Sequence, residues 1–158
     1  MDKTKVLGGL TRTLERTLAA FDWDAKTLAR SYGKGKWCAK QILGHLTDCD
    51  LLFLARLRFV LAEKEPPIVP FDQDAWANRF RYEDQDTALL KETFRALRRN
   101  LIEVVRQADL KDFSRRGNHP ENPKYDAAYI AEHAVEHNDH HLEQLDAIKA
   151  AKPWAKKR

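Results

Sequence analysis

Apolar residues recur at helical spacing in four stretches of the chain. In the first, Leu7, Leu10, Leu14, Leu18, Phe21, Ala25 and Leu28 follow one another three or four positions apart, the period of one helix face. The pattern predicts a helix that stops at Ser31-Tyr32-Gly33-Lys34-Gly35, where two glycines end it. The second stretch runs from about Trp37 to Leu61, is apolar on more than one face, and is bounded by Pro66 and Pro67. The third is Leu90, Phe94, Leu97, Leu101, Val104 and Ala108, with Asp84 or Asp86 as its cap. The fourth runs from about Asp126, its N-cap, to Ala150, with Pro153 beyond its end.

Nothing between these stretches reads as a strand. Helices of about 22 to 28 residues would be roughly 33 to 42 Å long. Matched lengths of that kind predict an all-α four-helix bundle. The first connection is short, so helices one and two should be antiparallel. The second, roughly residues 62–83, is long enough to cross the full height of the bundle. That crossover makes helices two and three parallel and predicts an up-down-down-up order. Within it, Asp72-Gln73-Asp74-Ala75-Trp76-Ala77 predicts a helical turn pinned by Trp76. The expected organisation is one bundle domain over residues 1–152 and a basic tail over 153–158.

A chain of 158 residues fits one domain with one core, and 43% hydrophobic residues can fill it. Mean hydropathy is −0.64, and no apolar run approaches the roughly 18 residues of a membrane span. Met1-Asp2-Lys3-Thr4 lacks a signal-peptide apolar stretch. Cys38 and Cys49 suit a reducing compartment rather than a disulfide framework. These features predict a cytoplasmic protein with no membrane partner. The net charge of +4 is mild, and part of it sits in Lys152 to Arg158, which reads as a frayed, solvated tail. No nucleic-acid reader module appears, so nucleic acid is not an expected partner.

Four of the six histidines, His133, His137, His140 and His141, fall in the fourth helix. At about 100° per residue, Ile130, Ala134, Leu145, Ile148 and His137 all lie within about 40° of His141. His137 and His141 therefore centre the inward stripe, while His133 and His140 flank it. An imidazole in a core needs partners for its ring nitrogens. Two of them at i, i+4 on one face can reach a single ion. His45 is the only histidine of the second helix and shares a face with Ile42, Cys49 and Leu52. With helices two and four antiparallel, His45 lies roughly 11 Å from its end of the bundle and His141 roughly 13 Å. The three can meet at one level, whereas His119, in the Gly117-Asn118-His119-Pro120 loop, belongs at the opposite end.

Three neutral imidazoles without a fourth protein ligand describe an open site, the usual form of a catalytic one. Nitrogen donors suit a divalent Zn, Ni, Fe or Cu ion. His137-Asn138-Asp139-His140-His141 lacks the glutamate of HExxH proteases, and the Glu-x-x-His pair of di-iron bundles is absent too.

Trp37-Cys38-Ala39-Lys40-Gln41-Ile42-Leu43-Gly44-His45-Leu46-Thr47-Asp48 resembles the helix-two motif of the DinB/YfiT-like superfamily. Phe71-Asp72-Gln73-Asp74-Ala75-Trp76-Ala77 resembles its crossover loop, and His137-Asn138-Asp139-His140-His141-Leu142-Glu143-Gln144-Leu145 its helix-four motif. The resemblance spans nearly the whole chain. It implies an up-down-down-up bundle, a three-histidine metal site on His45, His137 and His141, and a homodimer. It also implies an activity: characterised members include transferases and isomerases that use low-molecular-weight thiols such as bacillithiol or mycothiol. Many others carry a metal-dependent hydrolase name without a known substrate. Leu142-Glu143 stands where some branches have Arg-Gly before the glutamine.

Three functions remain open at this point. In a metal-dependent thiol S-transferase, the ion binds a small thiol and favours its thiolate, with no need of a carboxylate base. In a metal-dependent hydrolase, the ion lowers the pKa of bound water toward about 7, and Asp48, one turn from His45, is the candidate catalytic base. The third is a non-enzymatic metal-binding protein. Gln144, about 60° from His141, is placed to hydrogen-bond a ligand ring or bound water. Cys49 reads as a small buried hydrophobe, with a fourth-ligand or reactive-thiol role as the alternative. Arg56, further along helix two, reads as a dimer contact or surface residue.

Overall fold

The computed structural model describes residues 1–154. Its helices are α1 (Lys3–Phe21), α2 (Ala25–Leu28), α3 (Ala39–Ala62), α4 (Gln73–Arg79), α5 (Thr87–Gln107) and α6 (Ala127–Lys149), with a 3-10 turn at Leu110–Ser114. The four long helices form the bundle. Aspartates start most of them: Asp86 accepts from Ala88 and Leu89 N–H, and Asp126 from Tyr129 N–H. Such a cap contributes about 1 kcal/mol. Asp86, not Asp84, caps the third long helix.

The first helix is shorter than its periodicity predicts, stopping at Phe21 instead of running past Leu28. Asp24 accepts from Thr27 N–H and from the Thr27 hydroxyl, so the chain restarts there as α2. A local aspartate cap outcompetes continuation of the helix. Ala25, on the predicted stripe, is exposed, while Leu28 is buried. The inward stripe of α5 is also rotated. Phe94, Arg98, Leu101, Ile102 and Val105 are buried, and Leu97 and Val104 only half-buried.

Side-chain pairs fix the helix directions. Lys3 Nζ donates to the Arg106 and Ala108 carbonyls, each at 2.7 Å, and Lys91 pairs with Asp22, so α1 and α5 run antiparallel. Arg12 with Asp139 and Arg16 with Asp146 make α1 and α6 parallel. His45 lies beside His137 and His141 while Arg56 meets Tyr125, so α3 and α6 are antiparallel. Hence α3 and α5 are parallel, and the order is up-down-down-up. Gly9 permits the close approach of α1 and α6: a Cβ there would lie 2.7 Å from Val135 Cγ1.

The long connection crosses the bundle. At one end Ile68 N–H donates to the Asn118 carbonyl at 2.9 Å and Arg56 Nη2 to the Val69 carbonyl at 2.5 Å. At the other end buried Tyr82 packs onto α3, where a Cβ at Gly44 would lie 2.9 Å from Tyr82 Cγ. Between them α4 is the predicted helical turn, with Trp76 edge-on to Phe71 and Phe80. The core forms two apolar clusters. One includes Leu57, Val60, Leu101, Val105 and Ile130. The other includes Phe21, Leu43, Leu46, Phe94, Leu145 and Ile148. Each fully buried Leu, Ile or Phe side chain contributes about 1.5–3 kcal/mol. No helix among the described residues is long and apolar enough to cross a membrane.

The chain does not leave the bundle at the end of α6. Ala151 takes a positive φ of 51°, Lys152 N–H donates to the Ala147 carbonyl at 2.9 Å, and Trp154 turns back over Tyr32 and His140. Residues 155–158 of the predicted tail lie outside the described residues.

Candidate metal centre

α3 and α6 bring three imidazoles together. One nitrogen from each of His45, His137 and His141 lies within 4.8 Å of the others. His45 Nε2 and His137 Nε2 are 3.2 Å apart. The rings are 5.1 Å (His45–His137), 4.9 Å (His45–His141) and 4.6 Å (His137–His141) apart by centroid. His45 is 1% exposed and His141 8%, while His137 is less deeply covered. Beside His45, Gly44 lets Tyr82 press onto the same turn of α3. Trp37, just before α3, and Phe71 of the crossover pack their rings 5.0 and 6.3 Å from that of His45.

Burial holds all three imidazoles in the neutral form. It pushes His45 down to about 3, with repulsion from His141 adding to the effect. It pushes His137 down to about 2, with repulsion from His141 and His45 adding. It pushes His141 down to about 4, against a hydrogen bond to Gln144 that raises it. Neutral imidazole is the form that donates a lone pair to a metal.

The hydrogen bonding is incomplete in a telling way. His141 Nδ1 sits 2.8 Å from Gln144 Oε1, so the ring donates there and turns Nε2 toward the cluster. His137 Nδ1 is buried without a partner. Two facing Nε2 atoms at 3.2 Å repel unless a proton or cation lies between them. Three convergent lone pairs and no carboxylate in the group make a donor set that fits a divalent ion of borderline softness.

A cavity of about 440 Å³ opens onto His137, His141 and Gln144. Its walls come from Tyr32, Lys36 and Trp37 before α3 and from Gln73 and Asp74 of α4. His140 lines it too, with its ring 5.0 Å from Trp154. His133 stacks on Tyr129 at 5.2 Å, and its ring lies 5.8 Å from that of His137, next to the triad but outside the ligand group. His119 stacks on Tyr125 at 4.7 Å, beside the partner of Arg56, at the other end of the molecule.

Asp48 is placed differently from the histidines. It does not line the cavity, and its Oδ2 accepts from the Tyr82 hydroxyl at 2.5 Å. Burial raises its pKa above the usual carboxylate range, and the Tyr82 hydrogen bond opposes that shift. Cys49 is buried beside His45, with Sγ 3.5 Å from Nε2, and burial pushes its thiol pKa up. Sequence reasoning missed Lys36, Trp154 and Tyr82. Trp37 and Asp74 appeared in it only as motif positions. All five lie in loops or a short helix, where helical periodicity carries no directional information.

A sequence model of the DinB superfamily matches residues 10–145. A protein of Oceanobacillus iheyensis named "Putative metal-dependent hydrolase" is 26% identical over 145 residues, 92% of this chain and 83% of its own length. A Bacillus cereus protein of the same name is 26% identical over 144 residues, 89% of this chain and 80% of its length. Among solved structures, YfiT from Bacillus subtilis is described as a probable metal-dependent hydrolase with an unusual four-helix bundle topology. It superposes with a TM-score of 0.86 at 22% identity, over 97% of this chain and 89% of that one. The mycothiol-dependent maleylpyruvate isomerase superposes with a TM-score of 0.75 at 10% identity, over 92% of this chain and 61% of that one. At these identities both solved structures share the fold.

Proposed function

The chain belongs to the DinB superfamily, and from that premise we propose that it is a metal-dependent enzyme that activates a small thiol for transfer. His45, His137 and His141 are the proposed ligands of one divalent ion. When bound, the ion would supply a Lewis acid with an open position that favours the thiolate form of an entering thiol. The carrying observation is the content of the inner site: three convergent neutral imidazoles with no carboxylate base in their group, Asp74 being the acidic residue on the cavity wall and Asp48 lying off it. Transfer from a thiolate needs no such base. The mycothiol dependence stated for the structurally similar isomerase supports the same chemistry.

The chain's own residues have separable roles in this reading. Gln144 accepts the His141 Nδ1 proton and so points His141 Nε2 inward. Trp37 and Phe71 keep water from the His45 ring. The cavity past His137 and His141 is the path by which a ligand reaches the open position. A hydrolase is the second reading, favoured by the names of the sequence relatives. Asp48, with Oδ2 held by the Tyr82 hydroxyl and Oδ1 free to accept a proton, is the candidate base of that reading.

Cobalt substitution tests the proposal. Adding 2-mercaptoethanol to cobalt-loaded protein should produce a near-ultraviolet sulfur-to-cobalt charge-transfer band, absent in His141→Ala. A centre that stays silent with several thiols yet hydrolyses an ester or amide would replace this reading with the hydrolase. Silence in both assays would leave a non-enzymatic metal protein.

A further inference from the structure

The mouth of the cavity carries one unpaired charge of each sign. Lys36, from the segment before α3, and Asp74, from the first turn of α4, both line it. Neither forms an ion pair or side-chain hydrogen bond among the described residues. This contrasts with the Arg12–Asp139 and Arg16–Asp146 pairs on the same molecule, which close at 2.7 and 2.6 Å. Lys36 and Asp74 also do not reach each other within ion-pair distance. Two opposite charges that share one opening and stay apart leave room for a ligand group between them. The flanking walls of the opening are Tyr32 and Trp37, and His137 and His141 line the cavity behind it.

We infer that the mouth is a subsite for a zwitterionic head group, an amine and a carboxylate on one carbon, with Lys36 taking the carboxylate and Asp74 the ammonium. The ligand is then an amino acid derivative whose far end reaches the histidine triad. A cavity of about 440 Å³ accommodates such an extended molecule. The inference deepens the proposed function, and it rests on that reading for the inner end of the ligand. The outer end rests on Lys36 and Asp74 alone. The two residues are specificity determinants in this account, and neither belongs to the metal-binding set.

Four thiols of equal chain length separate the possibilities when titrated into the cobalt-loaded full chain. They are 6-mercaptohexanol, 6-mercaptohexanoate, 6-mercaptohexylamine and 2-amino-6-mercaptohexanoate. An exposed ion pair is worth up to about 1 kcal/mol, so each matched head charge should tighten binding about three- to fivefold. The zwitterion should therefore bind about tenfold or more tighter than the neutral alcohol. Lys36→Met should remove the advantage of the carboxylate and keep that of the amine. Asp74→Asn should do the reverse. The exchanged variant Lys36→Asp with Asp74→Lys should recover part of the zwitterion's advantage. Both positions are exposed, and helical content by circular dichroism verifies the fold of each variant.

Equal affinity of the four thiols within twofold, or a preference that survives both single substitutions, overturns the inference. Failure of every thiol to enter the cobalt centre is a different result and removes the proposed function. In that case the same four head groups are carried on a hydroxamate, which ligates the metal without sulfur. Equal binding of the hydroxamates then overturns the inference, and a zwitterion preference lost in Lys36→Met upholds it.

Discussion

At mid-height in the bundle, Arg98 gives Nε and Nη2 to the two carboxylate oxygens of Asp50, each at 2.6 Å, and Nη1 to Thr13 Oγ1 at 2.7 Å. Five residues along α3, about 7.5 Å away by helical rise, His45 meets His137 and His141. Both clusters are polar and both are buried. In the first, opposite charges face each other and every guanidinium nitrogen has an acceptor. In the second, like groups face each other, one buried ring nitrogen has no partner, and all three basicities are suppressed. The first cluster is complete as protein. The second leaves a donor atom unsatisfied. The difference separates a polar core that joins three helices from one whose donors are free for the proposed ion.

The largest expected effect breaks the complete cluster. Asp50→Leu or Arg98→Met alone leaves an uncompensated buried charge and should cost about 3–5 kcal/mol in urea unfolding. The double replacement should cost less than either single one. A double variant as unstable as the sum of the singles would mean that Asp50 and Arg98 act independently, with no coupling between them, and would contradict the paired-charge account.

The next effect separates the clusters by pH. In the unfolded chain the three histidines titrate near 6.5. In the folded, metal-free protein burial and mutual repulsion hold them at about 3, 2 and 4. Between pH 6.5 and those values the unfolded state binds more protons, so stability is present above about pH 6.5 and lost as pH falls. From pH 7 to 5.5 the loss should be about 1 kcal/mol for each histidine, about 3 kcal/mol together. Urea midpoints of the metal-free protein at the two pH values measure it. Stability that stays level over this interval would show that the imidazoles are not held neutral.

A smaller effect sharpens the second cluster from within. Gln144→Ala removes the acceptor that turns His141 and should lower metal affinity about 10- to 100-fold in a chelator competition. His133→Ala should leave affinity within the error of the titration, because His133, though 5.8 Å from the His137 ring, stacks on Tyr129 and contributes no nitrogen to the group. Equal losses in the two variants would reject the distinction between orienting and bystander groups.

The two clusters also differ in how far the sequence exposes them. His137 and His141 stand among Ile130, Ala134, Leu145 and Ile148 at one helical angle, so periodicity alone points them inward. The antiparallel arrangement of α3 and α6 then brings His45 to their level. Arg98 and Asp50 escape the same reading, because a charged residue on a helix is taken as solvent-facing until its partner is known. That partner lies 48 residues away on another helix. The rotated stripe of α5 has the same origin, since Arg98 occupies an inward position that the apolar pattern assigned to its neighbours. The up-down-down-up order is legible in the length of the 62–83 connection. The break after Phe21 is not, because the Asp24 cap and the helical spacing of Ala25 and Leu28 make opposite statements about the same residues. The mouth of the cavity is the least legible part, being assembled from the 32–37 turn and α4.

Metal content measures the central claim, that His45, His137 and His141 hold one divalent ion. Protein prepared without an affinity tag, loaded with zinc and dialysed, should retain about one equivalent per chain by elemental analysis, the stoichiometry of one three-histidine site. His137→Ala, verified as folded, should retain almost none under the same dialysis. A His137→Ala protein that keeps its full equivalent would contradict the account.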